Sequence, residues 1–196
     1  MAVVLGGVQA LSFAPLPLGI MQIASLAGML LLLPYVTRPA RVAFMFGLAW
    51  FCAGLYWLHF SMHGVGGLPT WMSALAIIAL SSYLAVYYML ALGIWRRFFA
   101  ELRVSSYLVA FPALWLVAEL ARGYVFGGFP WLASGYAHID NPLLKGWFAI
   151  FGVYGVGFAA AMCAGALAFV GRCVLERRRE VKGLALTGAR MEVLAV

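Results

Sequence analysis

The sequence predicts an all-α fold: a polytopic transmembrane bundle of about six helical segments, with both chain ends on the same side. Three observations carry that expectation. The first is composition: 66% of the 196 residues are apolar and only 10% charged, with a mean hydropathy of +1.01. Soluble domains average about 45–50% apolar and about 25% charged, and a sphere of this size could not hide the excess. The second is the presence of apolar runs of about 20 residues, the length needed to cross roughly 30 Å of hydrocarbon at 1.5 Å per residue. The third is a partition of the basic side chains. This balance excludes a water-soluble globule, a disordered chain and a nucleic-acid binder, although a net charge of +7 and a pI near 9.7 would otherwise suggest the last.

The elements follow in order. A short first helix reaches Ala14, too short to span comfortably, and a turn follows at Pro15 and Pro17. Proline removes a backbone donor and disfavours helix at the residue before it. A second helix runs from Leu18 to about Val36. Longer runs at about 40–62, 71–98, 104–126 and 146–171 are the remaining segments. Residues 1–172 thus form the bundle, and 173–196 are a basic cytoplasmic tail or the start of a truncated further helix. Gly157, Ala161 and Gly165 recur every four residues, as do Ala43 and Gly47. Lipid offers helices no hydrophobic reason to associate, so such stripes of small residues read as packing seams.

Charge sets the orientation. Arg38 and Arg41 follow the second segment, Arg96, Arg97 and Arg103 the fourth, and Arg172, Arg177, Arg178, Arg179, Lys182 and Arg190 the sixth. If the helices alternate, all eleven fall on one side and only Lys145 on the other, which puts both termini in the cytoplasm. Two glycine-rich, aromatic stretches, 59–69 and 123–145, then share the outer face, where loops on a rigid scaffold carry binding residues.

Several residues there invite a chemical reading. Glu119 and Arg122 lie three apart and share a helix face. They are either a buried structural pair or a polar anchor for a lipid headgroup or an outer loop, since ionisable groups at this depth are functional candidates by default. His59 and His63 have the spacing of two zinc ligands, but no nearby acid or thiol completes a site, so they read as interfacial histidines and no metal or cofactor is expected. In the string Gly127-Gly128-Phe129-Pro130-Trp131, glycine and proline break the helix between two large aromatics. Cys52 and Cys163 lie in apolar runs and, with Cys173, form no close pair. No hydrolase elbow, phosphate loop or carboxylate pair is present.

Four strings taken together resemble one family. They are Gln9-Ala10-Leu11-Ser12-Phe13-Ala14-Pro15; Gly54-Leu55-Tyr56-Trp57 with Ser61-Met62-His63 and Gly66-Gly67-Leu68-Pro69; Pro112-Ala113-Leu114-Trp115 leading to Glu119-Leu120-Ala121-Arg122-Gly123; and Gly128-Phe129-Pro130-Trp131-Leu132 followed by Gly135-Tyr136, Asp140 and Gly152-Val153-Tyr154-Gly155. Their order and spacing, from about residue 6 to 172, are similar to the membrane half of the bacterial apolipoprotein N-acyltransferases. The resemblance implies a multi-pass protein of the inner (plasma) membrane and an acyltransferase of lipoprotein biosynthesis. Its acyl donor would be a phospholipid and its acceptor the N-terminal diacylglyceryl-cysteine of a lipoprotein. It further implies a ping-pong reaction on a cysteine of a nitrilase-like domain that is missing from this chain. None of the three cysteines matches that nucleophile, and neither Lys145 nor Glu119 matches the family's catalytic lysine and glutamate. By matching position, the substrate-binding or domain-supporting surface comprises Trp57, His63, Gly66, Gly67, Pro69, Glu119, Arg122, Gly128, Phe129, Pro130, Trp131 and Tyr136. His59 stands where many relatives have another residue, often an aromatic. Two readings stay open. One is a membrane domain inactive by itself; the other is a non-enzymatic remnant, or a partner module for a separately encoded catalytic domain. The DNA downstream of codon 196 separates them.

Overall fold

The computed structural model describes the backbone of residues 1–13 and 18–194, and side chains as far as residue 179. Six α-helices form among the described residues: α1 (Ala2–Ala10), α2 (Gly19–Leu32), α3 (Pro39–Gly54), α4 (Thr70–Ile94), α5 (Phe111–Tyr124) and α6 (Phe148–Leu194). The turn predicted at Pro15 and Pro17 lies outside the described residues. Thr70–Phe99, Ser106–Gly127 and Lys145–Arg179 are long and apolar enough to cross a membrane, while Gly19–Tyr35 and Pro39–Gly54 are shorter apolar helices. The fold is a helical membrane bundle.

Helix ends fall where local chemistry puts them. Pro34 sits in the 3₁₀ turn Leu33–Tyr35 that closes α2, and Pro39 opens α3, where a missing N–H costs nothing. The apolar run at 40–62 is not one helix. The α-helix stops at Gly54, and a π turn, Phe60–Val65, precedes α4. The run reads as a longer span because Tyr56, Trp57 and Phe60 are apolar in composition, yet all three lie exposed at the rim. A second π turn, Trp95–Phe99, ends α4, and a third, Ser106–Ala110, leads into α5. Pro112 follows directly and cannot donate to a carbonyl one turn back, and a π turn absorbs that loss. Within α6 the backbone leaves helical geometry at Gly152 (φ 63°, ψ −173°), so the short outer piece and the long helix after it have separate axes.

The predicted seams are contacts. A Cβ on Gly47 would sit 3.0 Å from the Ala85 backbone, and one on Gly165 would meet the Tyr107 carbonyl. Gly6 brings α1 against the Phe46 carbonyl of α3 in the same way. Between the helices lies an aromatic core centred on Trp50, whose ring is 4.6 Å from Phe51, 4.9 Å from Tyr88 and 5.9 Å from Trp115. Such pairs contribute about 0.5–1.5 kcal/mol each beyond area burial. They form the wall on which the outer loop rests.

Two arginines tie the opposite end. Arg96 donates from Nε to the Leu33 carbonyl (3.1 Å) and from Nη2 to that of Pro34 (3.3 Å). Arg172 donates from Nη1 to the Ala100 carbonyl (2.9 Å) and the Tyr107 hydroxyl (2.8 Å). Each guanidinium meets carbonyls at a helix C-terminus, where both the dipole and the unpaired acceptors favour a cation.

Candidate functional site

At the C-terminal end of α5 the chain folds back on itself. Phe126 (φ 54°), Gly127 (φ 85°) and Gly128 (φ 72°) all take the left-handed region, and the 3₁₀ turn Val125–Gly127 reverses direction within a few residues. A Cβ on Gly128 would collide with the Gly123 carbonyl, so only glycine closes this turn. The reversal brings the Phe129 amide to the Arg122 carbonyl at 2.9 Å, capping the helix.

Arg122 then reaches back into that loop. Its Nη1 donates to the carbonyls of Phe129 (2.5 Å) and Trp131 (2.6 Å), and its Nε to the Tyr88 hydroxyl (3.1 Å). The guanidinium also lies 5.5 Å from the Phe51 ring centroid and 6.0 Å from that of Tyr88. One turn earlier, Glu119 Oε1 accepts from the Ser134 amide (2.7 Å) and from its hydroxyl (2.6 Å). The hydroxyl in turn accepts from the Trp115 indole at 2.8 Å. Arg122 and Glu119 approach only to 4.0 Å, both wholly buried. Each charge makes its shortest contacts to the loop, and the contact between the two is longer. Gly157 joins in, because a Cβ there would stand 3.0 Å from Glu119 Oε2. That glycine is a seam and a wall of the site at once.

The stretch 123–145 reads from sequence as an aromatic, glycine-rich loop, and its middle packs against the helices. Ala133, Ser134, Gly135, Ala137 and His138 are buried around the 3₁₀ turn Ser134–His138. Buried irregular backbone needs protein around it, and here the packing is close: a Cβ on Gly135 would meet the Val153 carbonyl of α6. His138 Nε2 hydrogen-bonds the Gln22 amide oxygen of α2 at 2.6 Å, and its Nδ1 lies 3.3 Å from the Asn141 amide nitrogen. Ser134, His138, Tyr88, Trp115 and Gln22 are thus the site residues that sequence reading missed. Gln22 carried a usable signal: an amide in an apolar helix needs a partner.

The candidates fall into two groups. Glu119 and Arg122 are the buried anchor, Gly128 and Phe129 are half-buried in the loop it holds, and Trp131 joins through its backbone while its ring stays 53% exposed, 5.1 Å from Phe129. Pro130 and Tyr136 are exposed beside it. The second group, Trp57, His63, Gly66, Gly67 and Pro69, is exposed on the connection between α3 and α4. Gly54 bridges the groups, since its Cβ position is 2.5 Å from Leu132 Cδ1. His59 and His63 stack in parallel (5.3 Å, 7°), and their Nδ1 atoms meet Ser73 Oγ and the Leu68 carbonyl, each at 2.7 Å. Among the described residues no three of His, Cys, Asp and Glu gather as a metal site. Between α3 and α4 lies an apolar groove of about 330 Å³, walled by Cys52, Tyr56, Phe60, Ile77 and Ile78.

Burial pushes His138 down to about 4. The neutral ring is the folded form, whereas the unfolded ring takes up a proton near pH 6.5. Stability should therefore be full above about pH 6.5, fall as the pH drops from there, and level off below about 4, a loss on the order of 3 kcal/mol. Detergent melts across that range should show this slope, and His138→Gln should flatten it.

Comparison with known proteins matches residues 5–166 to the family described as Apolipoprotein N-acyltransferase N-terminal domain. Among curated proteins, the apolipoprotein N-acyltransferase of Ralstonia nicotianae is 42% identical over 184 residues, covering 91% of this chain and 34% of that protein. Those of Verminephrobacter eiseniae and Vibrio cholerae are 39% and 38% identical, covering 91% and 90% of this chain and 34% and 35% of theirs. The chain therefore spans about a third of the length of these relatives. With its helices, its seams and its buried loop anchor accounted for, the chain belongs to the apolipoprotein N-acyltransferase N-terminal domain family.

Proposed function

We propose that these residues are the lipid-handling membrane domain of a lipoprotein N-acyltransferase. The acyl donor is a phospholipid of the surrounding bilayer, and the acceptor is the N-terminal diacylglyceryl-cysteine of a lipoprotein. The observation that carries this reading is the loop held by Arg122 and Glu119. It holds the backbone carbonyls of Phe129 and Trp131, whose rings stand 5.1 Å apart, and in this reading those aromatic planes hold an acyl chain or brace a catalytic domain. In this reading the apolar groove between α3 and α4, about 330 Å³, receives an acyl chain. Both termini are cytoplasmic in this proposal, because the basic residues partition eleven to one.

The chemistry itself is assigned to a nitrilase-like partner domain. Acyl transfer through a thioester needs a thiolate beside a base. Cys52 is half-buried on α3, Cys163 is exposed on α6 in the bundle's apolar surface, and Cys173 lies toward the opposite end. The test is mass spectrometry of a lipoprotein N-terminus. The 196-residue chain alone should leave the amine free, and a relative's catalytic domain supplied with it should restore acylation. Trp131→Ala in that restored protein should lower the rate about tenfold, a change of roughly 1.4 kcal/mol in the barrier. Acylation by the 196 residues alone would refute the assignment.

A further inference from the structure

Where α1, α2 and α3 meet, four wholly buried side chains carry polar atoms without a hydrogen-bond partner among the described residues. They are Gln9 at both ends of its amide, Ser12 at its hydroxyl, Gln22 at Nε2 and Trp50 at its indole nitrogen. The acyl-transfer reading uses none of them. Buried polar groups in folded proteins are almost always bonded, to protein or to ordered water, so a group of orphans at one place needs a physical reason.

Packing brings the four together. Consecutive helices α1 and α2 are joined by a short connection, and Ser25 Oγ donates to the Leu5 carbonyl at 2.7 Å, so the two lie antiparallel and side by side. Gln9, one turn on from Leu5, therefore stands opposite Gln22, about one turn back from Ser25. Gln9 also falls between Gly6 and Phe13, at three- and four-residue spacing, on the face that α1 turns to Trp50. A Cβ on Gly6 would stand 3.0 Å from the Trp50 backbone nitrogen, and the Phe13 ring centroid is 6.2 Å from that of Trp50. Gln22 Oε1 is taken by His138 Nε2 at 2.6 Å, and exchanging the ends of that amide would only move the unpartnered atom from nitrogen to oxygen.

We propose that this junction is a site for internal water, held by Gln9, Ser12, Gln22 and Trp50. The chemistry selects the occupant. Two amides, a hydroxyl and an indole present donors and acceptors from three helices, so the occupant must both give and take hydrogen bonds. A buried water makes about three such bonds, and the groups here suffice for about two waters. None of the four side chains is charged, so an ion would stay uncompensated. None reaches the surface, which closes the junction to a larger solute. The waters tie α1, a helix of nine residues, to α2 and α3, and through Gln22 to His138 in the buried loop.

Radiolytic footprinting tests the site. A millisecond X-ray pulse turns water into hydroxyl radicals, which oxidise a buried side chain where bound water touches it. Trp50 and Trp95 are equally buried, but the Trp95 indole donates to the Ser106 carbonyl at 2.9 Å. In the detergent-solubilised 196-residue chain, Trp50 should be oxidised several-fold faster than Trp95, read by peptide mass spectrometry. Gln9→Met keeps the shape of the side chain and removes two partners of the water. It should slow Trp50 oxidation to the Trp95 rate and lower the melting temperature by about 2–4 °C, as the loss of one hydrogen bond does in a chain of this size. A dry junction gives the opposite sign, because methionine would then relieve an unbonded amide. Equal oxidation of Trp50 and Trp95, unchanged Trp50 oxidation in Gln9→Met, or a higher melting temperature in that variant would overturn the proposal. The two tryptophans are compared within the unaltered chain, so that result stands whether or not the variant folds.

Discussion

Arg122→Gln should be the most damaging single substitution in the bundle, lowering stability by about 3–5 kcal/mol, the usual loss when one partner of a buried charged network is removed. Two loop carbonyls, a tyrosine hydroxyl and two aromatic faces lose their cation together. Glu119 is left as a buried charge without its cation. Glu119→Gln should cost less, because an amide oxygen still accepts from both Ser134 donors. The double change should then be more stable than Arg122→Gln alone, since it removes the stranded carboxylate. Detergent melts of the four proteins complete the cycle. Strict additivity would show that the two side chains act on the loop without sensing each other.

Gly128→Ala should follow closely, at about 3 kcal/mol. Its backbone (φ 72°, ψ 150°) lies in a region almost confined to glycine, and departures of this kind cost about 1–3 kcal/mol before any clash. The added methyl also meets the Gly123 carbonyl, which belongs to the end of α5 and cannot rotate away. Relief requires lifting residue 128 off the helix, which draws the Phe129 carbonyl from Arg122. Gly127→Ala is the internal control: it shares a positive φ of 85°, but the space around it is open. It should lose only about 1 kcal/mol. Equal losses at the two positions would mean that strain alone, and not closure over the helix, limits this turn.

These expectations draw on parts of the molecule that differed in legibility. Helices were readable because composition leaves few alternatives: a chain this apolar must satisfy its backbone internally. Gly47 and Gly165 were readable as seams because small residues at four-residue spacing have few other uses. The end of α3 was not, since Tyr56, Trp57 and Phe60 count as apolar wherever they lie. Glu119 and Arg122 stood out by charge alone, but their partners did not. Ser134 and His138 sit in a 3₁₀ turn with no hydrophobic period, and Ser-Gly reads as surface loop whether or not a protein wall covers it. The π turns left no mark, because one extra residue per turn shifts the periodicity by less than the pattern can resolve.

The arginine ties at Arg96 and Arg172 have a consequence for how this protein is manufactured by the cell. Under the orientation proposed above, the same side chains serve twice, first in biasing which way a hairpin threads and then as ties between elements of the finished bundle. A segment that inserted backwards would leave those guanidinium groups on the wrong side of the bilayer and strip the Leu33, Pro34 and Ala100 carbonyls of their donors. Engineers who wish to invert the charge bias without that penalty should work at Arg38 and Arg41, whose side chains are exposed.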